Sequence, residues 1–143
     1  MVPIGRIGLG DSVADTIRVL IVDHDPRVRE GLRTVLALAG DLSIVGEAAT
    51  CAAALEQTRA ERPDVVLLDL ELAAESSYAL LCLLRRLGVS VIALAVYPGD
   101  DADALAAGAT SYLLKDSPPA SLLTAVRAAH AARAESPPGA STS

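Results

Sequence analysis

With 143 residues and a net charge of −6, the chain has room for one domain with an ordinary core. It lacks the basic face that a nucleic-acid backbone would require. Apolar residues make up 52%, yet Phe and Trp are absent and Tyr occurs three times, so the core must be aliphatic.

Residues 1–16, interrupted by glycines and without a continuous apolar stretch, read as a flexible leader rather than a signal peptide. Residues 17–22 (IRVLIV) are a short, β-branched apolar run, the pattern of a strand buried on both faces. Pro26 then opens a helix over residues 26–39, with Asp25 placed to cap it and Gly40 to stop it. A second strand follows over 43–48. Thr50 caps a helix reaching residue 62, which Pro63 ends. Residues 64–68 (DVVLL) form a third strand that delivers Asp69. A loop leads to a helix over 77–87 with Gly88 as its stop, then a fourth strand over 89–95. The Asp-rich stretch 100–107 makes a short helix, 110–114 the fifth strand and 118–133 the last helix. The domain thus spans 17–134, and residues 135–143 (ESPPGASTS) read as a Pro/Ser/Gly linker or tail.

Short strands alternating with short helices imply parallel βαβ units with right-handed crossovers. Five units are too few for an eight-fold barrel, so the expected fold is α/β, a (βα)5 doubly wound open parallel sheet. Such a sheet puts its site at the carboxyl ends of the strands, where strand order reverses. No apolar run reaches the ~18 residues of a membrane span, which points to a cytoplasmic setting away from membranes. Cys51 and Cys82 form no CxxC pair and read as small buried thiols.

Asp23, His24 and Asp25 follow the first strand, Asp69 ends the third, and Lys115 follows the fifth. Carboxylates this close repel one another and favour a divalent cation with oxygen ligands, for which Mg²⁺ is the natural choice. A carboxylate beside such a cation and a lysine can act as a nucleophile towards phosphoryl, because the cations neutralise the developing charge. No GxxxxGK[ST] phosphate loop is present, which argues against a nucleotide triphosphatase.

The blocks IRVLIVDHDPRVREGL, PDVVLLDL and AGATSYLLKD resemble the receiver domains of bacterial two-component response regulators. The nearest style is the branch in which the receiver precedes a LuxR/NarL-type helix-turn-helix. The resemblance covers residues 17–133 and implies a flavodoxin-like strand order, 2-1-3-4-5. It further implies Asp69 as the aspartate phosphorylated by a sensor histidine kinase, Lys115 as the lysine that pairs with the phosphoryl group, and Tyr112 as the switch aromatic. Asp23, Asp69 and the carbonyl of Glu71 would hold Mg²⁺. The implied protein is a signalling protein, not an enzyme, with a second copy of itself as a candidate partner. Any contact with DNA would come through an output domain beyond these residues.

Four departures from the family's pattern stand out. The acidic pair reads Asp23-His24-Asp25, so His24 occupies the second carboxylate's place. Imidazole is a poor ligand for Mg²⁺. Either His24 or Asp25 completes the set, with Pro26 holding Asp25 to its capping role. The fourth strand ends in Ala95 where the family has a Thr or Ser hydroxyl, which removes the usual trigger for Tyr112. Leu72-Ala73 replaces the Met-Pro of the loop after Asp69, and Ser77 replaces its Gly. The interval from Ala95 to Gly108 is shortened. The expectation is an atypical receiver that binds Mg²⁺ weakly or not at all. The alternative is a phosphorylation-independent module for dimerisation or small-ligand sensing. A haloacid-dehalogenase-type phosphatase would need a second Asp two residues after the first, where Glu71 stands. A flavodoxin-type carrier would need aromatics to sandwich its flavin.

Overall fold

The computed structural model describes residues 16–72 and 74–135. Five parallel strands lie in the order β2-β1-β3-β4-β5. In chain order the elements are β1 Ile17–Val22, α1 Pro26–Leu36, β2 Leu42–Ala48, α2 Cys51–Glu61, β3 Val65–Asp69, α3 Ala74–Arg86, β4 Ser90–Ala95, α4 Asp101–Ala107, β5 Ser111–Leu114 and α5 Pro119–Glu135. This is the flavodoxin-like α/β fold that the sequence predicts.

The central strands are continuous apolar runs because helices cover both of their faces. Successive side chains of a strand point to opposite faces. Leu20 and Val22 of β1 therefore join Val66, Leu68, Leu81, Leu84 and Ala93 in one core cluster. Val19 and Ile21 join Val65, Leu67, Ile92, Leu36 and Val126 in the other. The first cluster lies against α2, α3 and α4, the second against α1 and α5. Without Phe or Trp, each face is filled by fully buried Leu, Ile and Val, each worth roughly 1.5–3 kcal/mol of burial. Replacing Leu67 with Ala should therefore cost about 2–5 kcal/mol in urea unfolding. A loss below ~1 kcal/mol would mean that the surrounding helices collapse into the space.

The chain differs from its sequence reading in particular places. α1 ends at Leu36 rather than at residue 39, because Leu38 and Ala39 tighten into turns on the carbonyls of Val35 and Leu36. α3 begins at Ala74, three residues before the expected Ser77, and α5 continues through Glu135, into the expected tail. β1 and β2 slip register between Val19 and Leu20, where Gly46 marks the irregularity. A Cβ on Gly46 would collide with the side-chain oxygen of Gln57. Cys51 is half-buried, but Cys82 is exposed and not the buried thiol expected; neither is joined in a disulfide. The remaining leader and tail residues and Ala73 lie outside the described residues. No helix among the described residues is long and apolar enough to cross a membrane.

Candidate functional site

The chain leaves β1 for β2 on one side of the sheet and returns to β3 on the other, so strand order reverses between β1 and β3. At that switch point stand Asp23, just past β1, and Asp69, the last residue of β3. Both are fully buried. Lys115, just past β5, reaches across to them. Its Nζ lies 2.9 Å from Asp23 Oδ2 and 2.9 Å from Asp69 Oδ1. One ammonium thus takes one oxygen from each carboxylate.

The other oxygens face His24. Its Nδ1 lies 2.7 Å from Asp69 Oδ2 and 3.7 Å from Asp23 Oδ1. Asp25 turns away: its carboxylate accepts from the Arg27 N–H at 2.9 Å and caps α1. The Asp25 N–H donates to Asp23 Oδ1 at 2.9 Å, so the same turn that caps the helix fixes the buried carboxylate. Of the two alternatives for the third side chain, it is His24 that points into the cluster.

Around this centre the backbone supplies further donors. The Glu71 N–H donates to Asp69 Oδ1 at 2.9 Å. The Glu71 carboxylate reaches the Val96 N–H at 3.4 Å, at the end of β4. Ala95 is buried, and the Lys115 N–H donates to its carbonyl at 2.7 Å. Tyr112 packs half-buried against the cluster that contains Ala95, while its hydroxyl donates to the Tyr97 carbonyl at 2.9 Å. Two contributors were missed by the sequence reading. The buried Ser77, seen there as a departure, donates its hydroxyl to the Asp69 carbonyl at 3.2 Å. Arg29 donates to the Asp23 carbonyl at 2.6 Å and to Glu47 at 3.2 Å, tying the β1–α1 loop to β2.

The electrostatics follow from these contacts. Burial by itself would raise the Asp69 carboxyl, but donation from His24 and Lys115 outweighs it and holds the group below the ordinary carboxylate value. The Asp69 hydrogen bond raises His24 above the ordinary imidazole value of 6.5, against a smaller opposing effect of burial. For Lys115 burial is again the largest single influence and lowers it. The bonds to Asp23 and Asp69 together reverse that, leaving the ammonium raised.

A raised His24 stabilises the fold below the ordinary imidazole range, and that contribution fades as pH rises through the raised value. A depressed Asp69 contributes above the ordinary carboxylate range and loses its contribution as pH falls through the depressed value. The pair is therefore fully engaged in mildly acidic solution. Proton NMR should find the His24 midpoint above 6.5, moving down in Asp69→Asn. An unmoved midpoint in that variant would show that the Asp69 contact is not the cause.

Buried acids bridged by an ammonium at the switch point of a 2-1-3-4-5 parallel sheet define a flavodoxin-like α/β domain with an ionic site at its strand ends. The chain belongs to the response regulator receiver domain family, which matches residues 19–127. It is 40% identical to the nitrate/nitrite response regulator protein NarP of Escherichia coli over 119 residues, 80% of this chain and 55% of that protein. It is 37% identical to the DNA-binding transcriptional activator DevR/DosR of Mycobacterium tuberculosis over 122 residues, 82% of this chain and 56% of that protein. The signal receiver domain of NarL from Mycobacterium tuberculosis superposes with a TM-score of 0.75 at 33% identity, covering 82% of this chain and 98% of that one. The chain spans about half the length of the curated relatives it matches. NarP and NarL are response regulators by name.

Receiver domains bind Mg²⁺ at their acidic site. Here the side chains that converge are Asp23, His24 and Asp69, with donor atoms all within 4.8 Å of one another. Mg²⁺ demands oxygen ligands in an octahedral shell, and one donor in three is an imidazole nitrogen. The set thus offers Mg²⁺ two suitable carboxylates and one mismatched donor.

Proposed function

We propose that the chain is an atypical receiver whose acceptor, Asp69, takes a phosphoryl group slowly and couples it poorly to the rest of the domain. One observation carries this reading: His24 Nδ1 sits 2.7 Å from Asp69 Oδ2. The nucleophile's other oxygen already accepts from Lys115 and from the Glu71 N–H. Oδ2 keeps a second lone pair, but donation from His24 withdraws charge from it and leaves Asp69 a weaker nucleophile, which slows attack on phosphorus. Lys115 is the group placed to neutralise the transferred phosphoryl, and Asp23 holds it there. The donor set, with an imidazole among its ligands, binds Mg²⁺ weakly or not at all.

The phosphodonor is a sensor histidine kinase, the setting is the cytoplasm, and an attached DNA-binding output receives the signal, in line with the likeness to DevR/DosR, a DNA-binding transcriptional activator. With a net charge of −6 these residues supply no DNA contact themselves. At ~100 mM salt, micromolar protein should give no mobility shift of duplex DNA.

A second reading, a phosphorylation-independent module, draws on the closed ion cluster and on Ala95, which offers no hydroxyl to report a phosphoryl group. It also draws on an apolar cavity of about 280 Å³ beside the site, lined by Val28, Leu32, Val35, Leu113 and Leu122 with Lys115 at its edge. Intact-mass measurement separates the two. Incubation with Mg²⁺ and a small phosphodonor should give slow, partial labelling that disappears in Asp69→Asn. No labelling favours the module, whereas rapid and near-complete labelling defeats the atypical reading altogether.

A further inference from the structure

The mismatch with Mg²⁺ has a positive side. We infer that Asp23, His24 and Asp69 form a site for a borderline divalent transition ion, of the Zn²⁺ or Co²⁺ type, in place of the family's Mg²⁺. The inference rests on the atypical-receiver reading and specifies what the altered site takes instead.

The geometry divides the two carboxylates cleanly. Lys115 holds Asp23 Oδ2 and Asp69 Oδ1, and the opposite oxygens, Asp23 Oδ1 and Asp69 Oδ2, face the imidazole. Ligand atoms bound at about 2.1 Å stand roughly 3.4 Å apart in a tetrahedral shell. His24 Nδ1 lies 2.7 Å from one of the facing oxygens and 3.7 Å from the other, so small movements of an exposed ring bring it to that spacing from both, and the donor atoms all lie within 4.8 Å of one another. The cation need not displace the ammonium, because the two use different oxygens of the same groups. Two carboxylates against one ammonium, with a neutral imidazole, leave one negative charge to attract the ion.

The supporting shell is in place. The Asp25 N–H orients Asp23 at Oδ1, the Glu71 N–H orients Asp69 at Oδ1, and Ser77 and Arg29 fix the backbone carbonyls of the two acids. Entry is open, since the His24 side chain is 55% exposed while both acids are fully buried. Solvent supplies the remaining ligands on that side. Imidazole nitrogen suits Zn²⁺, Co²⁺ and Ni²⁺, whereas Mg²⁺ discriminates against it, so a single histidine at the second acid's position shifts the selectivity.

The chain contains two histidines, His24 and His130, which makes the test simple. The full chain, stripped of metal with a chelator, is titrated with Co²⁺ while the imidazole signals are followed by proton–carbon NMR. His24 should shift and broaden at about one equivalent while His130 follows only weakly. Zn²⁺ should reverse the effect, and a large excess of Mg²⁺ should not. In His24→Ala the Co²⁺ affinity measured by calorimetry should fall about ten-fold or more, the scale of losing a metal-site contact. An unperturbed His24, an affinity unchanged in His24→Ala, or an intense sulfur-to-cobalt band from Cys51 or Cys82 would overturn the inference. Weak Mg²⁺ binding together with any of those results sinks this inference alone. Displacement of Co²⁺ by Mg²⁺, with tight Mg²⁺ binding to the unmodified chain, sinks the atypical reading as well.

Discussion

Lys115→Met should destabilise the domain by about 3–5 kcal/mol near neutral pH, the cost of removing one partner from a buried ion cluster. Asp23 and Asp69 are both fully buried, and the ammonium is the only cation within reach of Asp23 Oδ2 among the described residues. Without it, two carboxylates face each other in a low-dielectric setting with only the solvent-facing His24 for relief. Methionine keeps the apolar reach of lysine, so the loss reflects charge rather than a cavity. Urea unfolding measures it. The double variant Lys115→Met with Asp69→Asn should recover part of the loss, because it removes one of the two stranded charges. A single-variant loss below ~1 kcal/mol, the scale of an exposed pair, would show that solvent already screens the cluster.

The second large effect concerns repair of the switch. His24→Asp supplies the missing oxygen ligand and withdraws the donor from Asp69 Oδ2. It should raise Mg²⁺ affinity and the rate of Asp69 phosphorylation. Without metal it adds a third acid to the cluster and should lower stability. Mg²⁺ at a hundred-fold excess over its dissociation constant should then restore about 2.7 kcal/mol by mass action. Ala95→Thr acts on a different step. It returns a hydroxyl to the end of β4, and a hydrogen bond to a charged group is worth about 1.5–3 kcal/mol, or roughly ten- to a hundred-fold in coupling. Mg²⁺ affinity should be nearly unchanged by Ala95→Thr alone. Only the double variant should change its hydrodynamic size on adding a beryllofluoride mimic of the phosphoryl group. A switch needs both a bound ligand and a differential contact to it. A response from His24→Asp alone would show that Tyr112 is governed by something other than the β4 hydroxyl, and one from Ala95→Thr alone would show that His24 does not hold the site closed.

The sheet was legible because buried parallel strands are written as continuous apolar runs. Each of the five was placed to within one residue at either end. Helix boundaries were less so. The residue before α3 is an alanine, which gives no N-cap signal, and α3 begins earlier than its apolar pattern. Gly40 looked like a helix stop, but α1 had already given way to turns. In the site, Asp23, Asp69 and Lys115 could be found by position alone, since strand ends at a reversal of order must converge. The orientation of the Asp23-His24-Asp25 turn could not. It depends on which carboxylate takes the helix cap and which the β1 end, and those choices are made by the Arg27 and Asp25 N–H groups. Ser77 and Arg29 were invisible for a related reason: their partners, the carbonyls of Asp69 and Asp23, are brought near only by the packed fold.

At the centre of the altered site, His24 stands as a closing donor where a magnesium ligand would otherwise be. Calorimetric titration of Mg²⁺ into the metal-stripped chain and into His24→Asp, side by side, tests this most directly. Little or no saturable heat is expected for the unmodified chain, and clear one-site binding for the variant. Equal, tight binding by both would contradict it, and would mean that Asp25 leaves its cap to serve as the second oxygen ligand.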